Sequence, residues 1–353
     1  MVTTTQLLEL DGIRQRADGF RFELQDRDGQ QLGELHPDSS TPATITNDVS
    51  RRVPRSLDGL KLNPGDAAEV DVIRHRVRVV MVLQNGAEFS LGTFLWGDDS
   101  RPRHSWGVTR SSSLIDRSFV LDQQIGRVVS YNAGINVGLA FLGVVLDVFT
   151  LDEIVAEANE QALSAPVAWP PTATRGQIAT DLADKIGFLP PYLNRDDRLV
   201  WRSVPDMSTS QPTLVYNEGG RIVAGSLVES DNLLTAPNRY TVIESSGTGN
   251  PVIGSWDIPS TAPHSIANRG FVVTRTEMMQ GITSTDQAVN AARALAKRDT
   301  STYEWAEFGS TADPRHDTWD VVQYLGINYL EIAWRLPCRS GGLMSHKLRR
   351  VYS

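Results

Sequence analysis

Apolar and polar residues alternate on both sides of Asn85-Gly86, over residues 70–83 before it and 89–96 after it. A period of two puts alternate side chains on opposite faces of a strand, and Asn-Gly suits a tight reversal. This part of the chain is therefore committed to antiparallel pairing. The expected connection is a type I′ turn, with positive φ at both Asn85 and Gly86. A second hairpin is expected upstream. There Phe20, Phe22 and Leu24 alternate with polar residues, Asp28-Gly29 offers a turn, and residues 32–35 return. Several short strands joined by tight turns predict a small barrel or sandwich over residues 1–110.

The pattern changes after Arg110. Residues 136–148 are almost continuously apolar, as in a buried helix. Residues 174–187 predict a helix with defined ends. Thr174 and Gln177 have capping-box spacing, Ile178, Leu182 and Ile186 share a face, and Gly187 supplies a stop. Pro190-Pro191 prevents continuation, and residues 192–204 read as a hairpin turning at 194–197. Residues 111–205 are thus expected to form an α+β domain. After a polar linker at 208–212, residues 206–353 return to strands, at 239–244, 271–276, 319–322, 327–334 and 347–352. A helix near 285–298 interrupts them, with Ser284 and Gln287 at capping-box spacing. A weak echo links the two β-rich parts. Asn63-Pro64-Gly65-Asp66 leads into paired strands, and so does Asp313-Pro314-Arg315-His316-Asp317.

The 353 residues suffice for two or three domains. Hydrophobic residues make up 40% and charged residues 22%, the balance of a globular chain. A net charge of −8 argues against a large basic surface for nucleic acid, although a neutral or acidic wall lets a duplex pass without holding it. Cys338 is the only cysteine, which excludes an intrachain disulfide and a cysteine-rich zinc site. Residues 1–10 lack a basic segment followed by an apolar run, so no secretory signal is read there. Residues 128–146 carry no formal charge, but their strongly apolar part, 137–146, is half the ~20 residues needed to span a bilayer. No stable membrane insertion is expected.

Motifs for chemistry are sparse. The sequence has no G-x-S-x-G elbow, Walker A loop or H-E-x-x-H helix. Gly247-Thr248-Gly249 lacks the third glycine of a dinucleotide fingerprint and reads as a turn. His316-Asp317 is half of a metal dyad, yet His36, His75, His104, His264, His316 and His346 are scattered singly, so a polar turn before a strand is the better reading. Asp26, Asp28 and Gly29 lack the other ligands of a calcium loop, and Asp196-Asp197 likewise reads as a turn. Carboxylates are plentiful, but none is singled out as a glycosidase pair. Trp96, Trp106, Trp169, Trp201, Trp256, Trp305, Trp319 and Trp334 are dispersed, as core or interface anchors would be. No catalytic, cofactor-binding or metal residue is assigned, no cofactor is expected, and the chain reads as a non-enzyme.

A succession of phrases carries more information than these motifs. Residues 55–96 read RSLDGLKLNPGDAAEVDVIRHRVRVVMVLQNGAEFSLGTFLW, and residues 165–206 read APVAWPPTATRGQIATDLADKIGFLPPYLNRDDRLVWRSVPD. APNRYTVI (236–243), IANRGFVVTRTEMMQGITSTDQAVNAARALAKRDTS (266–301), DPRHDTWDVVQY (313–324) and GGLMSHKLRRVY (341–352) follow. Together they resemble minor tail proteins of actinobacterial long-tailed siphophages, of the baseplate or tail-tip central hub family.

The resemblance implies a β-rich α+β fold with two small antiparallel β-barrel tube domains and an inserted α+β domain. It implies a homotrimer whose six barrels form a pseudo-sixfold ring at the virion tail tip, after synthesis in the host bacterial cytoplasm. It implies contacts with the distal tail protein, the tape-measure protein and other tail-tip or fibre proteins, and non-specific passage of phage DNA through the lumen. Some relatives carry C-terminal peptidoglycan-cleaving or fibre domains. Here Ser353 follows the last predicted strand, so a purely structural hub is expected. Arg74, Arg76 and Arg78 are expected on a strand, facing either a lumen or a salt-bridged interface. The alternatives are an adhesin for host cell-wall glycan and, behind it, a cell-wall hydrolase.

Overall fold

The computed structural model describes residues 17–105, 107–217, 222–223, 228–231, 234–244, 251–299 and 304–352. Nine strands come first: β1 (Ala17–Gln25), β2 (Gln31–Leu35), β3 (Thr44–Asp48), β4 (Arg55–Leu62), β5 (Arg76–Leu83), β6 (Glu88–Ser100), β7 (Arg103–His104), β8 (Gly107–Val108) and β9 (Arg110–Asp116). Both predicted hairpins form, β1 with β2 and β5 with β6. Their turns are not the expected ones. Gly86 has φ 82° but Asn85 is not at positive φ; Gly86 N–H bonds the Leu83 carbonyl, and Leu83 N–H closes on the Ala87 carbonyl. This is a three-residue loop, a type I turn followed by a left-handed glycine, and residues 26–30 repeat it around Gly29. It needs one positive-φ residue where type I′ needs two. The Asn85 side chain is left free to accept the Ala87 N–H at 2.9 Å.

Helix α1 (Pro64–Glu69) starts on an Asn63 cap, whereas residues 313–317 open no helix, so the sequence echo does not extend to matching loops. In the middle of the chain β10 (Val129–Tyr131) pairs with β12 (Val167–Trp169), and β11 (Ile154–Ala156), β13 (Tyr192–Leu193) and β14 (Leu199–Trp201) form a second small sheet. Helices α2 (Val137–Val145) and α3 (Arg175–Ile186) share their core. Helix α3 has the predicted ends. Thr174 Oγ1 accepts the Gln177 N–H at 3.1 Å, Gln177 Oε1 accepts the Thr174 N–H at 3.0 Å, and Gly187 stops the helix at φ 73°. Helix α2 is less enclosed than its composition predicts. Phe141 and Val144 are buried, with Trp201 stacked on Phe141 at 4.3 Å, but Leu139 is 66% exposed. Among the described residues no helix is long and apolar enough to cross a membrane.

The remaining strands are β15 (Leu214–Tyr216), β16 (Val228–Asp231), β17 (Arg239–Glu244), β18 (Ile253–Asp257), β19 (Thr274–Met279), β20 (Glu304–Thr311), β21 (Val321–Tyr324), β22 (Ile327–Pro337) and β23 (Leu343–Arg349), with helices α4 (Ile266–Arg269) and α5 (Thr285–Arg298). Strands β17–β19 form their own sheet against α5, around Tyr240, Val242 and Leu295. Gly254 is needed for that packing, since a Cβ there would stand 2.4 Å from the Val289 backbone nitrogen. Trp319 lies before β21 at φ 61°, so the strand predicted at 319–322 begins two residues later.

Thirteen strands join in one sheet. Its main path runs β16-β20-β23-β22-β3-β4-β9-β6-β5-β1-β2, with β21 beside β22 and β15 beside β21. The resemblance implies two separate barrels. Instead β3 and β22, from opposite ends of the chain, pair antiparallel, and among the described strands no pairing closes either half on itself. Alternation identifies a strand and its faces but leaves its neighbour open.

Candidate functional site

The β3–β22 seam organises the molecule. Ala333 pairs with Asp48, Trp334 with Asn47, Arg335 with Thr46, Leu336 with Ile45 and Pro337 with Thr44. Beneath it Trp334, Leu336, Cys338 and Met344 enter the core built by β1–β9. The later strands thus supply part of the interior of the earlier ones. Among the described residues, β2 pairs only with β1 and β16 only with β20, so each leaves an outer edge open.

Charged groups are buried on either side of the seam. Arg55 on β4 is 2% exposed. Its Nε lies 3.6 Å from Asp116 and its Nη2 3.3 Å from Asp197, and it donates to the carbonyls of Leu91 and Asn194. Asp197 occupies the β13–β14 turn at φ 58° and accepts the Thr93 N–H at 3.0 Å. One guanidinium therefore ties β4, β6, the end of β9 and the inserted hairpin together. Gly92, at φ +107°, makes room for it, because a Cβ there would stand 2.6 Å from Arg55 Cζ.

The second cluster lies within the later strands. Glu331 on β22 accepts from both neighbouring imidazoles, His316 Nδ1 at 2.5 Å and His346 Nδ1 at 2.7 Å. The outer nitrogens are also committed, His316 Nε2 to Tyr216 Oη at 2.6 Å and His346 Nε2 to Ser310 Oγ at 2.8 Å. Burial alone would lower the His316 pKa, but the Glu331 carboxylate, with Asp313 and Asp320 behind it, raises it instead. Burial and the adjacent His316 lower His346. Burial opposes ionisation of Glu331, yet His316 and His346 hold its pKa below the ordinary value. The arrangement is an imidazolium, a carboxylate and a neutral imidazole in a row.

These three side chains are residue types that bind metals, and their candidate ligand atoms lie within 4.8 Å of one another. Donors bound to one ion at ~2.0–2.2 Å stand roughly 3 Å or more apart. Separations of 2.5 and 2.7 Å are those of proton-sharing hydrogen bonds. The cluster does not fit a resident ion. It fills a buried space with satisfied polar groups and so specifies one strand arrangement.

Asp320 sits beside this cluster, accepting the Asp317 N–H at 2.7 Å. Burial, reinforced by the Asp317 and Glu331 carboxylates, pushes its pKa up to about 7. An acid whose pKa rises on folding is destabilising wherever the unfolded chain would already be ionised. The penalty therefore grows as pH rises from about 4, the unfolded value, towards 7. Asp320→Asn keeps an oxygen for the Asp317 N–H and removes the charge. Its thermal midpoint is expected to exceed that of the parent at pH 8 and to match it near pH 4. An equal difference at both pH values would show that the charge is not the cause.

The structure redistributes the residues marked in the sequence. His316 and Asp317 do not act as a pair: His316 faces Glu331, while Asp317 accepts the Arg195 N–H at 3.1 Å. The histidines are not all solitary, because β23 brings His346 to His316, with ring centroids 4.4 Å apart. Asp26 Oδ1 accepts the N–H groups of Asp28 and Gln30, fixing a turn. Arg74 is not on a strand; it lies in the turn before β5, and its side chain is 82% exposed. Arg78 pairs with Glu23 at 3.3 Å. Trp169, Trp201, Trp319 and Trp334 are buried, and Trp96, Trp256 and Trp305 are partly buried. Trp106, residues 1–10, Gly247-Thr248-Gly249 and Ser353 lie outside the described residues. Glu331 went unmarked in the sequence, although an acid between Leu330 and Ile332 in an apolar strand is a signal for a buried charge.

No family model matches the sequence, and no curated protein matches it. Solved structures do. The 43 kDa tail protein of prophage MuSo2 from Shewanella oneidensis superposes with a TM-score of 0.64 at 14% identity, covering 94% of this chain and 98% of that one. A tail protein from Neisseria meningitidis MC58 gives 0.64 at 16% identity, covering 94% and 97%. The E. coli c3393 protein, a type VI secretion component described as structurally similar to the T4 tail proteins gp27 and gp5, gives 0.52 at 10% identity, covering 97% and 76%. The chain has the fold of phage tail proteins along nearly its whole length.

Proposed function

We propose that this chain is a structural, non-catalytic subunit of a phage tail tip, three copies of which form the central hub. The sequence resemblance points to an actinobacterial siphophage, and the fold is that of tail proteins. The observation that carries the reading is the continuous sheet. Each chain contributes two β-rich halves already joined edge to edge at β3–β22, with outer edges at β2 and β16 that are open among the described residues. Two such halves per chain and three chains give six units around an axis, a match to a sixfold tube above. A heterologous contact of this kind makes a ring when the rotation between subunits closes. Such a ring buries upwards of ~2,000 Å² per interface. Within it the small barrels that the resemblance implies are completed between neighbours. The distal tail, tape-measure and other tail-tip or fibre proteins cover its faces, and the genome passes through its lumen.

Imaging of purified virion tails, together with native mass measurement of the hub released from them, tests this. The expected result is annular density at the distal end of the tube and a mass of three chains. Density in a peripheral fibre, or release as a single chain, would overturn it.

A further inference from the structure

The face of the sheet formed by β1, β5 and β6 carries a row of charges with one member missing. Across β1 and β5, Glu23 stands opposite Arg78 and bridges it at 3.3 Å. Arg21 on β1 bonds Glu23 and Glu88. One step along, Arg76 stands opposite Gln25 on β1 and Leu95 on β6, both uncharged. Among the described residues the Arg76 guanidinium has no hydrogen bond and no ion pair, although its backbone is paired in the sheet. Burial, and after it the Arg117 charge, lower its pKa; Asp28, Glu153 and Asp197 act in the opposite direction but none of them pairs with it, and the net shift stays downward.

Arg76 lines a pocket of about 300 Å³, together with Ile73, Leu95, Trp96 and Phe119. The Trp96 indole Nε1 is buried without a hydrogen-bond partner. Ile73, at the tip of the turn before β5, is 90% exposed, and Phe119 is 38% exposed. Arg27 and Arg74 stand at the same pocket, but each lies within 4 Å of its own aspartate, Asp28 or Asp71. Among the described residues the site thus combines a partly buried cation with no direct carboxylate partner, an indole N–H with no acceptor, and an apolar wall open to solvent.

We propose that this pocket receives a carboxylate side chain, flanked by an apolar residue, from an adjoining protein chain. A guanidinium fork takes a carboxylate through two parallel hydrogen bonds. The volume admits one side chain and part of a neighbour. The exposed Ile73 and Phe119 gain from being covered by polypeptide and gain nothing from a free ion. The proposal is independent of the ring described above, since it concerns the local chemistry of one pocket.

The test uses the full chain labelled with 5-fluorotryptophan, with the Trp96 signal assigned by Trp96→Phe. The probes are acetyl-Leu-Glu-Leu-amide, acetyl-Leu-Gln-Leu-amide and inorganic phosphate. The glutamate peptide is expected to shift the Trp96 signal saturably. The glutamine peptide is expected to bind about tenfold more weakly, the loss of one charge-assisted bond. Arg76→Gln is expected to abolish the difference between them. Equal binding of both peptides, no saturable shift, or an unchanged difference in Arg76→Gln would overturn the proposal. Phosphate binding as tight as the glutamate peptide would overturn the carboxylate assignment. If Arg76→Gln fails to fold, the two peptides on the parent chain still decide the question.

Discussion

Glu331→Ala is expected to remove about 3–5 kcal/mol of stability, the scale of breaking a buried ion pair by deleting one partner. The carboxylate accepts from both His316 Nδ1 and His346 Nδ1, and all three residues are buried. Without it, two imidazoles face each other, one of them selected to be cationic by the lost charge. Glu331→Gln should cost less, because an amide accepts from one ring and donates to the other if that ring exposes a bare nitrogen. The pH dependence distinguishes this from loss of packing. Glu331 has a lowered pKa, so its contribution is present above the unfolded value and vanishes as pH falls through the folded one. His316 has a raised pKa, so its share is present below its unfolded value and vanishes as pH rises through the folded one. The gap in thermal midpoint between parent and Glu331→Ala should therefore be widest between the two unfolded values, 4.5 for the acid and 6.5 for the imidazole, and narrow in stronger acid and again as pH rises through the folded His316 value. A gap that stays constant into strong acid would mean that the ion pair contributes nothing.

Arg55→Ala is expected to be of similar size, about 3–5 kcal/mol. It strands the buried Asp116, whose pKa burial already raises and Arg55 restrains. It also frees the Asp197 turn, which the guanidinium holds to β4. Arg55→Met combined with Asp116→Asn should recover the part of the loss that comes from Asp116, because it fills the volume and removes that unpaired carboxylate, while Asp197 and the buried Asp317 still lose the guanidinium charge. Urea unfolding of the three proteins gives the comparison. Limited proteolysis adds a spatial readout, with Arg55→Ala expected to expose residues 194–197 to cleavage before global unfolding. Recovery no better than the single variant would refute the charge argument and leave the guanidinium's shape as the cause.

Neither cluster was visible in the sequence, whereas the local elements were. Thr174, Gln177 and Gly187 announced helix α3 because a capped helix is specified by residues within three or four positions of each other. The β5–β6 hairpin was equally local, and even there the turn type depended on how Leu83 and Ala87 closed. His316, Glu331 and His346 belong to a loop and two strands, and no spacing rule connects them. Arg55 meets Asp116 and Asp197 only after β4, β9 and the inserted hairpin have come together.

The sequence by itself determined the strands, the capped helices, the scarcity of catalytic motifs and the single cysteine, because each is a property of neighbours along the chain. Only the tertiary structure decided that β3 pairs with β22, that two β-rich halves become one sheet, and which buried charges find partners. Strand pairing and ion pairing depend on distance in space, and a chain with a period-two pattern satisfies that pattern beside many possible neighbours. The choice among them is made when cores such as Trp334 and Leu336 over Ile45 and Leu57 are filled together.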